Sequence, residues 1–405
     1  MTMILDGIRV LDWTIFQQGP VAGMMLGDMG AEVIKIEERV GGDVGRGMLK
    51  AFGHKVSGEE VGRSPYFEAH NRNKMSVTID LGKDAGREVV YKLVEKSDVF
   101  LHNFRMGVAE RVGLDYDTLI KYNPRLVYAH GSGWGPKGPD AFSPSADYTG
   151  MARSGIMNIA GEPDDNPVQI HGGIADQLGG IMTAFGVVAA LLSRERTGEG
   201  QKVDTSLLGS MAFLLGLPVN FVSLAGFSSM RIGRKQAGNP LWNHYRCGDD
   251  KWLALACLQS DKFWPGVCRA IGSPELEGDP RFNNIENRAK NGEELVTLLD
   301  DTFASKPQDE WLGLLKANDV LFAPVNTVPE MMNDPQTLVN DYVKEIDHSA
   351  WGKVKTTGFP LGFNKTPCSI RMEAPEFGQH TELILADLLG YSWDDIAKLK
   401  EAEVI

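Results

Sequence analysis

The chain has 405 residues, 42% of them hydrophobic and 23% charged, with 46 glycines, which excludes disordered, collagenous and disulfide-scaffold proteins and leaves room for two or three domains at roughly 100–200 residues each. A formal net charge of −13 argues against nucleic acid or an anionic membrane as a partner and leaves any anionic ligand to a local cationic cluster. Cys247, Cys257, Cys268 and Cys368 show no CxxC spacing, so neither a zinc ribbon nor a disulfide framework is expected, and reduced thiols fit a cytoplasmic protein.

The N-terminal run 8–12 predicts a buried strand, without the basic flank and cleavage site of a signal peptide. A helix follows over 21–29, then a strand over 33–37, a strand-like run over 75–81, a helix over 85–96, a strand over 99–101, a helix over 116–121 and a strand over 126–129. Near-continuous apolar strands alternating with helices predict an α/β fold, with a parallel sheet covered on both faces in a Rossmann-like large domain.

Helices over 177–196 and 204–217 are expected to supply buried packing, joined by the polar turn 197–201. The apolar run 178–192 is shorter than the roughly 20 residues of a bilayer span and leads directly into Arg194-Glu195-Arg196. The run 206–226 is broken by Pro218 and Asn220. Both read as core helices rather than membrane spans. From about Ser228 glycine and charge interrupt the apolar runs, and a strand over 251–258 follows the Asp249-Asp250 turn. The predicted domains are therefore a large domain over 1–227, a smaller α+β domain over 228–330 and a segment over 331–405, which ends in an amphipathic helix over 381–389 stopped by Gly390.

Several loops carry chemistry. The first βα junction, Asp12 to Gly23, combines a strand, a glycine turn and a helix N-terminus, which is an anion site in principle, but it lacks the G-x-G-x-x-G spacing of a dinucleotide fold. Asn71-Arg72-Asn73-Lys74 offers two cations and two amides for phosphate and a base edge, or forms a solvated turn. Asn103-Phe104-Arg105 again puts an arginine just after a strand, where open α/β sheets bind ligands. The glycine-rich stretch 130–139 contains Lys137, either a phosphate partner or part of a surface loop. Asp147 reads as a helix N-cap or as a carboxylate nucleophile, competent toward a thioester though not toward an amide. No G-x-S-x-G elbow or H-E-x-x-H motif occurs, the eight histidines lack metal-ligand spacing, and Glu59-Glu60 and Asp164-Asp165 read as solvated charge.

In order along the chain, the segments 5–12, 30–37, 71–74, 103–105 and 123–128, followed by 194–201, Asp279-Pro280-Arg281-Phe282, Ala323-Pro324-Val325 and Asp334-Pro335-Gln336, resemble the class III CoA-transferases. The resemblance implies that Asp147 is the nucleophile, forming an acyl anhydride and then an aspartyl-CoA thioester. It places Gln17 and Gln18 at the reacting carbonyl, where amide donors stabilise oxyanion charge. Arg39, Arg72, Asn73, Lys74, Arg105 and Lys137 would hold the CoA nucleotide and its phosphates.

On this resemblance CoA thioester enters as a substrate, possible donors including succinyl-CoA, and the acceptor is an organic acid, branched or aromatic. No tightly bound cofactor or metal is expected. The family's α-methylacyl-CoA racemases use a histidine directly before the equivalent aspartate, and Ala146 stands there in this chain. That loss of an acid/base partner favours transfer over racemisation. The resemblance further implies a ring-like monomer in an interlocked dimer, homomeric or paired with a related subunit, a non-catalytic partner role being the remaining alternative. The segment 331–405 would return to the large domain. Trp242 and Tyr245, in the loop 236–245, would either pack on the acyl group or belong to the small-domain core.

Overall fold

The structure, a computed structural model, describes residues 2–48, 50–51, 54–55, 63–227 and 231–405; Glu59, Glu60 and the expected boundary at Ser228 lie outside the described residues. In chain order the first strands are β1 (Arg9–Trp13), β2 (Glu32–Glu37), the short pair β3 (Lys50–Ala51) and β4 (His54–Lys55), β5 (Lys74–Thr78), β6 (Val99–His102), β7 (Val127–Ser132) and β8 (Lys202–Ser206). Six of them form one parallel sheet in the order β5-β2-β1-β6-β7-β8. Successive strands thus build outward from β1 first on one side and then on the other, which is the doubly wound Rossmann order with its switch point between β1 and β6.

The apolar strands are buried on both faces because alternate side chains enter different cores. Val10, Val33, Val99, Leu101, Val127 and Ala129 share a cluster with Ala22 and Leu26 of helix Gln18–Asp28 and with Ala184, Val187 and Leu191 of helix Ile174–Thr197. Leu11, Ile34, Val77, Phe100 and Tyr128 face the opposite way, onto Val89, Val90 and Leu93 of helix Asp84–Glu95.

Helix Ile174–Thr197 has 24 residues, longer than its apolar run suggested, and by length and composition it is long and apolar enough to cross a membrane. In this structure its Gly179, Gly180, Thr183, Ala184 and Val187 face is buried against helix Gln18–Asp28, β7 and β8. The helix expected over 204–217 is instead strand β8, helix Leu207–Leu214 and helix Gly216–Ala225, the two helices bent by 64°. Ser206 ends β8 and caps the first helix by accepting the Gly209 N–H at 2.9 Å. Pro218 is tolerated because it falls in the first turn of the second helix, whose N–H groups lack intrahelical partners. That second helix buries none of its residues, so the expected core packing is confined to Leu207, Met211 and, between the helices, Leu215.

By compactness residues 2–157, 169–227 and 339–405 form one unit, and 158–168 with 231–338 form another. The second unit has an antiparallel sheet, β11-β10-β9, of β9 (Trp242–Arg246), β10 (Trp252–Ala256) and β11 (Phe322–Val325). Its helices gather around Trp264, Phe282, Leu299, Phe303 and Trp311. Tyr245 belongs to that core, its hydroxyl donating to the Pro240 carbonyl at 2.6 Å, whereas Trp242 is exposed.

In the first unit β12 (Val343–His348) and β13 (Gly352–Thr357) form a hairpin, and the following chain runs along β5. There the Asn73 N–H donates to Met372 O at 3.1 Å and the His380 N–H to Ser76 O at 2.9 Å. The amphipathic helix expected over 381–389 is a short α-turn, Thr381–Leu383, running into a π-helical turn, Ile384–Leu388. Gly390, left-handed at φ 71°, closes it by donating to Ala386 O at 3.0 Å.

Candidate active site

The loops leaving β1 and β6 meet at the switch point. Asn103, just after β6, pins the β1 loop by accepting the Ile15 N–H at 2.9 Å and donating to Ile15 O at 2.8 Å. Gln17 and Gln18 follow directly and are buried. The Gln17 amide donates to Gly172 O at 3.2 Å, to Gly173 O at 3.4 Å and to Gln177 Oε1 at 3.3 Å. Gln18 donates to Ser132 O at 3.4 Å. Gly173 is left-handed at φ 70°, a conformation that favours glycine, and a Cβ there would lie 2.3 Å from Gln17 Oε1 and displace the amide.

The same glycine pair opens helix Ile174–Thr197, and two carboxylates converge on that helix start. Asp147 begins helix Asp147–Ser154, but its carboxylate serves the neighbouring helix: Oδ1 accepts the Ala175 N–H at 2.7 Å and the Asp176 N–H at 3.2 Å. These are amides that a helix leaves without internal partners, so Asp147 is anchored as an anionic cap at a positive helix end. Asp176 sits in the first turn of the capped helix. Burial and then the Asp147 charge push its carboxyl up to about 7. Tyr66 faces the same pair: burial, followed by the charges of Asp176, Asp43 and Asp147, pushes its phenol upward and keeps it neutral.

A raised carboxyl carries a stability cost with a definite sign. Asp176 titrates near 7 when folded against 3.8 ordinarily, so the folded state holds a proton that the unfolded chain has released, and stability falls as pH rises from about 4 to 7. Asp176→Asn should therefore raise the unfolding free energy at pH 8 by roughly 2–4 kcal/mol, with the gain shrinking toward pH 4. Urea unfolding at the two pH values measures it.

The six cations and amides expected around the CoA nucleotide separate into two groups. Lys74 is wholly buried, forming an ion pair with Asp12 Oδ2 at 2.7 Å and donating to Pro20 O at 2.9 Å and Asn71 Oδ1 at 2.9 Å. Burial, only partly offset by Asp12, draws it down to about 8. Arg72 grips Asp28 with Nη2 at 2.6 Å and donates to Thr357 O at 2.6 Å. Asn73 donates to Asp28 Oδ1 at 2.7 Å and to Ser369 O at 2.9 Å. These three side chains tie β5 to the first helix and to the C-terminal segment, an engagement that differs from the phosphate contacts expected of them.

The second group faces outward. Arg105 and Lys137 are exposed, and Arg105 borders a cavity of about 200 Å³ over the stacked His102 and His130 rings. Arg39 is partly buried, with Glu403 at 3.5 Å.

Asp176, Gln177 and the Gly172-Gly173 pair are absent from the sequence-based site. A local signal for them existed: two glycines followed by an acidic residue at the head of a long apolar helix, the pattern of a helix N-terminus that handles charge.

Residues 5–381 match CoA-transferase family III. The chain is 32% identical over 406 residues, spanning all of both proteins, to the (R)-2-hydroxy-4-methylpentanoate CoA-transferase of Clostridioides difficile. It is 32% identical over 402 residues to the succinyl-CoA:glutarate CoA-transferase of Mus musculus, covering 99% of this chain and 90% of that one. The crystal structure of a CaiB/BaiF family protein from Brucella suis superposes with a TM-score of 0.85 at 30% identity, over 96% of this chain and all of the other. With the family model matching nearly the whole chain and relatives matching over its full length, the chain belongs to CoA-transferase family III and is a CoA-transferring enzyme.

Proposed function

We propose that the enzyme moves CoA from an acyl-CoA donor to a free organic acid through a covalent relay on an aspartate, and that the relay carboxylate is Asp176 with Asp147 as its anchored neighbour. The observation that carries this reading is the unequal environment of the pair. Asp147 spends Oδ1 on two backbone amides, whereas Asp176 is drawn up to about 7 by burial and by the Asp147 charge. Among carboxylates the more basic anion is the stronger nucleophile, and paired groups pushed apart in pKa take different roles.

The Asp176 carboxylate attacks the thioester carbonyl and expels CoA thiolate, leaving an acyl-aspartyl anhydride. The thiolate attacks the aspartyl carbonyl, releasing the donor acid and leaving an aspartyl-CoA thioester. The acceptor carboxylate then displaces the thiolate to form a second anhydride. Attack of the thiolate on the acceptor's acyl carbonyl gives the new acyl-CoA and returns the carboxylate. One thioester is exchanged for another, so no ATP is consumed. Gln17 and Gln18 supply amide N–H groups near the reacting carbonyls, and the long contacts of Gln17, 3.2–3.4 Å, are weak enough to exchange for a substrate oxygen.

Arg39, Arg105 and Lys137 are the cations proposed for the CoA phosphates. The relatives' names support succinyl-CoA as a donor and a branched acid as an acceptor. A second copy of the chain is proposed to cover helices Leu207–Leu214 and Gly216–Ala225, where Phe213, Leu217 and Leu224 are 76%, 68% and 83% exposed.

Incubating the purified protein with a panel of acyl-CoAs and free acids should yield new thioesters by mass detection without ATP. Their kcat/KM should rise as pH passes through about 7, because the anion is the nucleophile, and Asp147→Asn should move that rise to lower pH by removing a like charge. Absence of any exchange, or an Asp147→Asn profile that does not move, contradicts the proposal.

A further inference from the structure

Gln17 is useful to the reaction only if its amide is fixed, yet it follows a residue whose backbone opposes the shape it adopts. Phe16 has φ 62°, a left-handed conformation that crowds the Cβ of an L side chain. Its side chain is 42% exposed, so packing of the ring does not account for the turn. The backbone is held instead from below. The Phe16 N–H donates to Asp43 Oδ1 at 3.1 Å, the same oxygen accepts the Gly45 N–H at 2.8 Å, and Asp43 Oδ2 meets Lys35 Nζ at 2.8 Å.

Lys35, fully buried like Asp43, also donates to Thr14 O at 2.8 Å. Asn103 holds Ile15 on both its N–H and C=O. Residues 14–16 are thus gripped by side chains from β2, the loop after it and the end of β6, and the next residue is Gln17. Burial works against the charge of each partner, but for Lys35 the charges of Asp43, Asp12 and Glu37 together hold it above its ordinary range, and for Asp43 the Lys35 charge, together with the Gly45 and Phe16 N–H bonds, holds it below.

We propose that Asp43, braced by Lys35, is a positioning residue for CoA transfer: by holding the Phe16 N–H it maintains the left-handed turn that sets the Gln17 amide beside Gly172 and Gly173. The inference rests on the reading that Gln17 acts at the reacting carbonyl. Without the carboxylate, Phe16 relaxes to a negative φ and the amide is displaced, a misplacement that lowers turnover without removing any contact to CoA.

The test is a double-mutant cycle on the full-length enzyme. Asp43→Ala, which removes the oxygen that holds the Phe16 N–H, should lower kcat by about 100-fold, with the KM for acyl-CoA held within about threefold. In a Gln17→Ala background the same substitution should cost less than about threefold more. Adding Phe16→Gly to Asp43→Ala should restore at least about tenfold in kcat, since glycine adopts the left-handed turn unaided. It should not restore thermal stability, because Lys35 remains unpaired.

Independent, multiplicative effects of Asp43→Ala and Gln17→Ala, or no rescue by Phe16→Gly, overturn the proposal. A silent Gln17→Ala in an active wild-type enzyme removes its premise instead. Should Asp43→Ala fail to fold, Asn103→Ala loosens the same loop from the other side and must show the same dependence on Gln17; an independent effect there also overturns it.

Discussion

Asp176→Asn is expected to lower CoA transfer on the order of 10⁴-fold or more while the variant still binds acyl-CoA, and Asp147→Asn to lower it less and to shift its pH dependence. An amide at 176 cannot form an anhydride or a thioester, so no step of the relay survives. An amide at 147 can still present an oxygen to the Ala175 and Asp176 N–H groups, but it no longer repels the neighbouring carboxylate. Isothermal titration with acyl-CoA separates binding from turnover. The opposite ranking, with Asp147→Asn inactive and Asp176→Asn active, returns the nucleophile to the residue that family resemblance selects.

Lys74→Met is the second large effect, and it falls on stability. The substitution strands the Asp12 carboxylate, fully buried and otherwise paired at 2.7 Å, and breaking one side of a buried ion pair costs about 3–5 kcal/mol. Thermal and urea unfolding should show that loss, while acyl-CoA affinity measured well below the transition stays near that of the wild type. A phosphate contact by Lys74 gives the reverse: weaker CoA binding in a protein of unchanged stability.

These two residues show where the sequence is readable and where it is not. Strands β1, β2, β6 and β7 are legible to within a few residues because each is a short, β-branched or aromatic run buried on both faces. β8 is not, because Lys202-Val203-Asp204-Thr205-Ser206 is a partly exposed edge strand without an apolar run. The cations at 72–74 are visible as charge in a turn. Their neutralising partners, Asp12 and Asp28, come from β1 and the first helix and are brought together only by the sheet.

Asp147 is legible as a carboxylate at a helix start. Its capping of a different helix, and the burial and neighbouring charge that raise the proton affinity of Asp176, depend on packing between segments nearly thirty residues apart. Gln17 and Gln18 stand out as amides after the first strand. The buried Lys35–Asp43 brace beneath them joins a residue of β2 to one in the loop after it, a pairing that only the folded loop brings about.

The central claim is that Asp176 carries first an acyl group and then CoA in each turnover. Borohydride added to the enzyme during steady exchange between an acyl-CoA and a free acid reduces an aspartyl thioester to an alcohol, and peptide mass mapping locates it. The mechanism proposed here predicts that modification at Asp176, dependent on acyl-CoA and absent from Asp176→Asn. Modification at Asp147, or full turnover with neither aspartate reduced, contradicts it.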